Sequence, residues 1–148
     1  MSTINYVLVA DTSDAYEIGE NFLSDKFVWH DMSLLSLDAI SIDLECMLEE
    51  APLKEVLEPD DIPPILYDGG TESHWVHLVP ERCVKLMANM SDEQVPKLSK
   101  RLIKENQFLA ESFDENNLPA FEDHLQKLRE LCKQSIESDK SVLLYIGV

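Results

Sequence analysis

The residues of this sequence with the most evident capacity for chemistry are two histidines, His74 and His77, in a short apolar run. Imidazole nitrogens bind Zn²⁺ when other ligands lie close by, and the candidates are Asp68, Glu72 and Cys83. The run is predicted to be a β-strand, in which residues three apart point to opposite faces. The two imidazoles would need a bulge to chelate one ion, so no metal site is predicted.

No local signature of a catalytic nucleophile is present. A Ser or Cys nucleophile requires an adjacent base, and no G-x-S-x-G or comparable motif occurs. The Asp-Gly-Gly sequence at 68–70 lacks the spacing of a dinucleotide-binding loop and the Lys of a phosphate-binding loop. We therefore predict no catalytic residues and no cofactor. An enzyme with a pocket assembled from distant residues, around His74, Trp75 and His77, stays open as an alternative.

The distribution of charge is more informative than any motif. The chain carries 29 Asp and Glu against 12 Lys and Arg, a formal net charge of −17. Residues 1–61 hold 15 of these carboxylates against Lys26 and Lys54, which gives −13 there and leaves −4 for residues 62–148. Such a field repels the phosphates of nucleic acids and anionic membranes and attracts basic surfaces. We expect a basic protein partner, no nucleic acid and no membrane.

A helix predicted over residues 38–50 lies within this acidic half, with its main apolar residues in one arc. On the opposite side Ile42 and Cys46 lie between Glu45 and Glu49, a minor apolar stripe on an acidic face that suggests a docking strip. The predicted partner-binding residues are accordingly Ile42, Asp43, Glu45, Cys46, Glu49 and Glu50. The interpretation that the pattern favours is a helix covered on two sides by its own domain.

These patterns leave two non-enzymatic hypotheses. The first is a binding protein, such as an immunity-type inhibitor, whose acidic half docks on a basic protein. The second is a cytosolic housekeeping domain whose acidity only confers solubility.

The last quarter of the chain organises the predicted fold. Pro119 suits the first turn of a helix, and apolar residues then recur at helical spacing, predicting one buried stripe: Phe121, Leu125, Leu128, Cys132 and Ile136. The apolar run at 141–146 follows as a strand with no polar face. Such a strand is stable only inside a sheet, for which residues 4–10 supply a second apolar strand.

About five helices are predicted between and beside these strands. Asp-Gly at 68–69 between apolar runs indicates a hairpin, and residues 51–64, with four prolines, predict a long surface connection. The expected fold is α+β: a single globular domain over 1–148 with a small mixed or antiparallel sheet that includes both terminal strands.

The chain has no apolar run of the length that a membrane span needs, roughly 18 residues, and no signal-peptide pattern at its start. We expect a cytoplasmic protein. Three widely spaced cysteines, an odd number, are expected to be reduced thiols. The oligomeric state stays open.

Three stretches, 37–48, 76–84 and 121–146, resemble a known family. They look like the Leu-Asp-opening helix, the strand-Pro-helix junction and the closing helix and strand of the YfbM-like family of small bacterial proteins of unknown function. The resemblance implies an α+β fold and a bacterial, cytosolic setting, and it transfers no catalytic residue.

Overall fold

The computed structural model describes residues 4–21, 26–27, 29–33, 37–70 and 74–147. The strands of these ranges are β1 Ile4–Ala10, β2 Trp29–Asp31, β3 Ile65–Asp68, β4 His74–Leu78 and β5 Ser141–Gly147. They form one sheet in the order β2-β1-β5-β4-β3, and every pair is antiparallel. The terminal strands β1 and β5 are neighbours, which confirms the predicted α+β class.

Six α-helices accompany the sheet within the described ranges, against about five predicted. They are α1 Ala15–Glu20, α2 Leu37–Leu48, α3 Glu81–Ala88, α4 Gln94–Glu105, α5 Gln107–Ser112 and α6 Leu118–Glu137. The helix predicted over 38–50 is α2, with its start one residue earlier and its end two residues earlier. None of these helices is both long and apolar enough to span a membrane.

β5 is the most buried strand, as its unbroken apolar sequence predicts. Leu144 is fully buried and pairs with Val7 of β1 on one side and with His77 of β4 on the other. Leu144 belongs to the main core between the sheet and α2 to α6, whereas Leu143 belongs to a smaller core on the opposite face. Both faces of β5 are therefore covered.

α6 follows the predicted pattern except at its end. Pro119 lies in the first turn, and the buried stripe contains Phe121, Leu125, Leu128 and Cys132. The prediction for Ile136 is wrong, since this side chain is 51% exposed. At 3.6 residues per turn the buried stripe passes through Ser135 instead, whose hydroxyl donates to the carbonyl of Lys140 at 2.7 Å and fastens the turn into β5.

The smaller core lies under α1. Its buried residues are Leu8, Ala10, Ala15, Ile18, Val76 and Leu143. Gly19 makes this packing possible, because a Cβ at that position would lie 2.2 Å from Cδ1 of Tyr67 on β3. The predicted first helix also drew on Phe22 and Leu23, which lie outside the described residues.

The connections differ in part from expectation. Residues 26–30, predicted as either a strand or a packed connector, contribute Trp29 and His30 to the edge strand β2. Residues 51–64 form the predicted surface connection, with a 3₁₀ turn at Pro59–Asp61. Residues 53–57 form no helical turn.

The three cysteines are free thiols and buried, as predicted: Cys46, Cys83 and Cys132. Burial raises the pKa of Cys132 to about 12 and raises the pKa of Cys83 well above its ordinary value. Since the thiolate is the reactive form, these two are unreactive core residues at neutral pH.

Candidate functional site

The residues predicted to bind a partner lie on α2, and the structure corrects their exposure. Ile42 and Cys46 are buried, so they do not form an exposed strip. Glu45, expected to be exposed, is also buried, with 9% of its surface accessible. Only Glu49 and Glu50 of the six predicted residues are exposed, and Asp43 is half-buried.

The reason is that α2 is covered on more than one side. α3 and α4 pack against α2, and the connection that follows α2 returns past the face that carries Glu45. The groups that act electrostatically on Glu45 include Lys54 and Asp61 of that connection, together with Arg82 of α3. The interpretation of α2 as a helix covered by its own domain is therefore the correct one, and Ile42 and Cys46 are core residues.

Burial has a measurable consequence at Glu45. Desolvation is the largest influence on its carboxyl group and raises the pKa, while Arg82 acts in the opposite direction. The nearby carboxylates of Glu49 and Asp61 raise the pKa further. The ionisation of Glu45 is therefore set by its burial and by charges within the fold.

Asp43 also has an internal role. Its carboxylate accepts a hydrogen bond from the side-chain amide of Asn106 at 2.6 Å. The oxygen of the same amide accepts from the backbone N–H of Leu109 at 3.0 Å, which caps the start of α5. Asp43 therefore fixes the position of a helix cap, and this accounts for a carboxylate here without invoking a partner.

The exposed acidic surface begins where α2 ends. We name residues 49–61 the acidic loop: it holds six carboxylates against the single cation of Lys54. Two of the six are paired: Glu49 accepts a two-pronged contact from Arg82, and Asp61 binds Lys54 at 2.8 Å. The other four are exposed, and no cation of the described residues forms an ion pair with them: Glu50, Glu55, Glu58 and Asp60.

Exposed apolar side chains lie on and beside this loop. We name them the apolar patch: Val56 80%, Leu57 46%, Ile62 53%, Ile65 55% and Leu66 36% exposed. The Lys54–Asp61 ion pair closes the segment that carries Val56 and Leu57 and brings its end to Ile62, three residues before β3 begins. Exposed apolar residues gathered in one region are typical of binding surfaces.

The sequence itself indicates that part of the apolar patch is exposed. Val56 and Leu57 stand in a segment rich in proline and carboxylates, where neither helical nor strand periodicity offers them a buried face. Ile65 and Leu66 were read correctly as a hairpin strand. Their exposure depends on the place of β3 at the edge of the sheet, which local sequence does not specify.

Each of the three residues of the alternative pocket, His74, Trp75 and His77, makes contacts within the fold. His74 stacks between the rings of Tyr67 and Tyr145, with centroids at 5.6 and 5.9 Å. His77, on the other face of β4, has its Nδ1 3.0 Å from the carbonyl oxygen of Pro63. The indole N–H of Trp75 donates to Asp68 at 2.9 Å.

These contacts hold the two imidazoles on opposite sides of the sheet, as strand geometry predicts. Among the described residues no group of three or more His, Cys, Asp or Glu is placed to hold a metal ion. His74 thus has a tyrosine ring stacked on each side, Tyr67 of β3 and Tyr145 of β5. Cross-strand pairs of this kind stabilise neighbouring strands.

A basic surface lies on the solvent side of α4, with Lys97, Lys100, Arg101 and Lys104 around a groove of about 480 Å³. Arg101 pairs with Glu105 one turn away and donates to the carbonyl of Met47 at 3.4 Å. The buried side of α4 contains Val95, Leu98 and Leu102. The alternation is that of an amphipathic helix with a solvated charged face.

Comparison with known proteins gives little beyond the fold. No protein-family model matches the chain, and no curated protein sequence matches it. Among solved structures, the chain is similar to the crystal structure of YfbM from Escherichia coli, a protein of unknown function. The match covers 98% of this chain and 99% of that one, at 14% identity and a TM-score of 0.44. The resemblance expected from the sequence thus recurs, and it names no activity.

Proposed function

We propose that this protein is a non-enzymatic binding protein that engages a basic protein partner through its acidic loop, as an immunity-type inhibitor would. One observation carries the proposal. Four exposed carboxylates of one loop have no ion-pair partner among the described residues, and exposed apolar side chains lie on and beside the same loop. Charge accelerates association and selects the partner, whereas apolar contact at the centre of an interface supplies much of the affinity.

The proposal moves the partner-binding residues away from α2. The charges expected to act are Glu50, Glu55, Glu58 and Asp60, and the apolar centre is the apolar patch in place of Ile42 and Cys46. Keeping several like charges close together costs stability through mutual repulsion. Surface carboxylates that served only for solubility would not need to lie together in one loop.

The test is a charge reversal confined to the acidic loop. The variant Glu55→Lys, Glu58→Lys, Asp60→Lys changes three exposed residues, so its circular dichroism and melting temperature should stay close to those of the parent. The matched control, Glu111→Lys, Glu130→Lys, Glu137→Lys, changes three exposed carboxylates outside the loop by the same total charge.

Each protein is immobilised and used to capture partners from a lysate of the native cell, and captured proteins are then purified for kinetics. We expect a basic protein to bind the parent and the control and to associate at least roughly tenfold more slowly with the loop variant. Its association rate should fall steeply with salt, because charges are screened over about 8 Å at physiological ionic strength. The proposal is wrong if nothing binds the parent, or if the captured protein is indifferent to the loop reversal.

A further inference from the structure

The strand β3 lies at one edge of the sheet that the described residues form. It has β4 on one side, and no strand of the described residues lies on the other. Nor does any backbone hydrogen bond among the described residues join Ile65, Leu66 or Asp68 to a segment other than β4. An edge of this kind presents free N–H and C=O groups that can pair with another extended chain.

The backbone groups available on this edge follow from the register. Tyr67 is paired with Val76, and the N–H of Gly69 donates to the carbonyl of His74 at 2.9 Å. Because inward and outward positions alternate along an antiparallel strand, the N–H and C=O of Asp68 point away from β4. Leu66 falls where the register shifts by one residue, and it has no partner on β4. The N–H of Leu78 donates to the carbonyl of Pro64 at 2.9 Å, so Pro64 faces β4 and the N–H and C=O of the next residue, Ile65, point away from it.

The side chains at this edge are apolar and exposed. Ile65 and Leu66 lie on β3 itself, and Ile62 precedes it by three residues. An exposed apolar edge strand is an aggregation hazard that natural proteins usually avoid. Here self-pairing is opposed by charge, since a second copy would bring its own acidic loop, with six carboxylates against one lysine, against the first.

The same charge favours one class of partner. A segment that pairs with β3 passes beside the acidic loop, so it gains if its residues alternate between cationic and apolar side chains. Strand addition of this type derives affinity from main-chain hydrogen bonds and specificity from alternate side chains. Charge therefore admits a basic extended segment and rejects the acidic chain itself.

We propose that β3 accepts an extended basic and apolar segment of the partner as a sixth strand of the sheet. This rests on the proposed function and specifies how the partner binds: through the outward backbone groups of Ile65 and Asp68, with Ile62, Ile65 and Leu66 as the apolar contacts. The site is thus a strand edge rather than a helix face.

The test uses a synthetic peptide of the sequence Lys-Val-Lys-Ile-Lys-Val-Lys with blocked ends and the complete chain. Its analogue with every backbone nitrogen methylated keeps the side chains and charge but donates no main-chain hydrogen bond. Affinity is measured by titration calorimetry at about 50 mM and about 300 mM salt. Amide hydrogen exchange of Ile65 and Asp68 is followed by NMR.

We expect the unmethylated peptide to bind and to slow exchange at Ile65 and Asp68, and the methylated analogue to bind at least roughly tenfold more weakly. The variant Ile65→Ser, Leu66→Ser should lose affinity by a similar factor. The control variant Ile136→Ser alters an apolar side chain of similar exposure on α6. It should bind the peptide with the affinity of the unaltered protein.

Two results overturn the inference. Equal binding of both peptides with no change in exchange at Ile65 and Asp68 would mean that charge alone holds the peptide on the acidic loop. That result would leave the proposed function intact. Absence of binding by the parent peptide at either salt concentration would also reject strand addition, while the charge-reversal experiment decides the proposed function separately.

Discussion

Replacing Leu144 by Ala tests the central claim about the fold, that β5 is enclosed on both faces and holds the sheet together. The side chain is fully buried and lies in the main core. The substitution removes three carbon atoms, which at about 0.8 kcal/mol for each buried methylene amounts to about 2.4 kcal/mol. The unfilled cavity adds to this, because a residue on a strand paired on both sides has little freedom to collapse.

The expected loss is therefore about 3 to 5 kcal/mol, a large part of the roughly 5 to 15 kcal/mol that stabilises a typical domain. Urea unfolding followed by circular dichroism measures it as a lower midpoint with an unchanged slope. Ile136→Ala is the control, since this half-exposed side chain should change stability by about 0.5 kcal/mol or less. If the Leu144→Ala variant lost less than about 1 kcal/mol, β5 would not be the enclosed central strand.

Two further predictions concern single residues. Burial raises the folded-state pKa of Glu45, so the stability that its carboxyl group contributes is fully present below the unfolded pKa and is lost as pH rises through the folded pKa. The variant Glu45→Gln should therefore gain stability relative to the parent between pH 4 and pH 7. Urea unfolding would contradict this if the difference in unfolding free energy between variant and parent stayed constant or narrowed over that range. Asp139 has a φ of +54° after the end of α6, a conformation that favours glycine, so Asp139→Gly should raise the unfolding free energy by about 0.5 to 1 kcal/mol. The control Ser138→Gly, at a φ of −93°, should lower the unfolding free energy. The opposite order would show that the Asp139 side chain stabilises the fold by more than its backbone conformation destabilises it.

The parts of the fold that the sequence predicts are those in which one local pattern has one structural meaning. An unbroken apolar run of the length of β5 can be stable only inside a sheet, and the stripe that begins at Phe121 can face only a core. Pro80 likewise lies immediately before the first residue of α3. At Ile136 the same reasoning fails by one residue, because the stripe on a helix drifts and Ser135 takes the inward position.

The partner-binding residues could not be predicted in this way. α2 has apolar residues on most of its circumference, so periodicity alone does not separate a docking strip from a second buried face. Which of the two describes α2 depends on the path of the proline-rich connection that follows it. Neither the hydrophobic period nor the turn residues of the sequence specify that path. The exposure of Ile65 and Leu66 depends in the same way on the order of strands, a property of the whole sheet.

Two features of the segment around β3 would each be unfavourable alone. An exposed apolar strand edge invites association with any other edge, including that of a second copy. Exposed carboxylates gathered in one loop repel one another. In the proposed binding mode the two features act together. The carboxylates repel copies of the acidic chain from the edge, and the edge supplies the backbone and apolar contacts for a segment that the carboxylates attract. A surface built in this way discriminates by the sign of the incoming strand, and the ligand that satisfies both features is an extended segment with cations on one face and apolar side chains on the other.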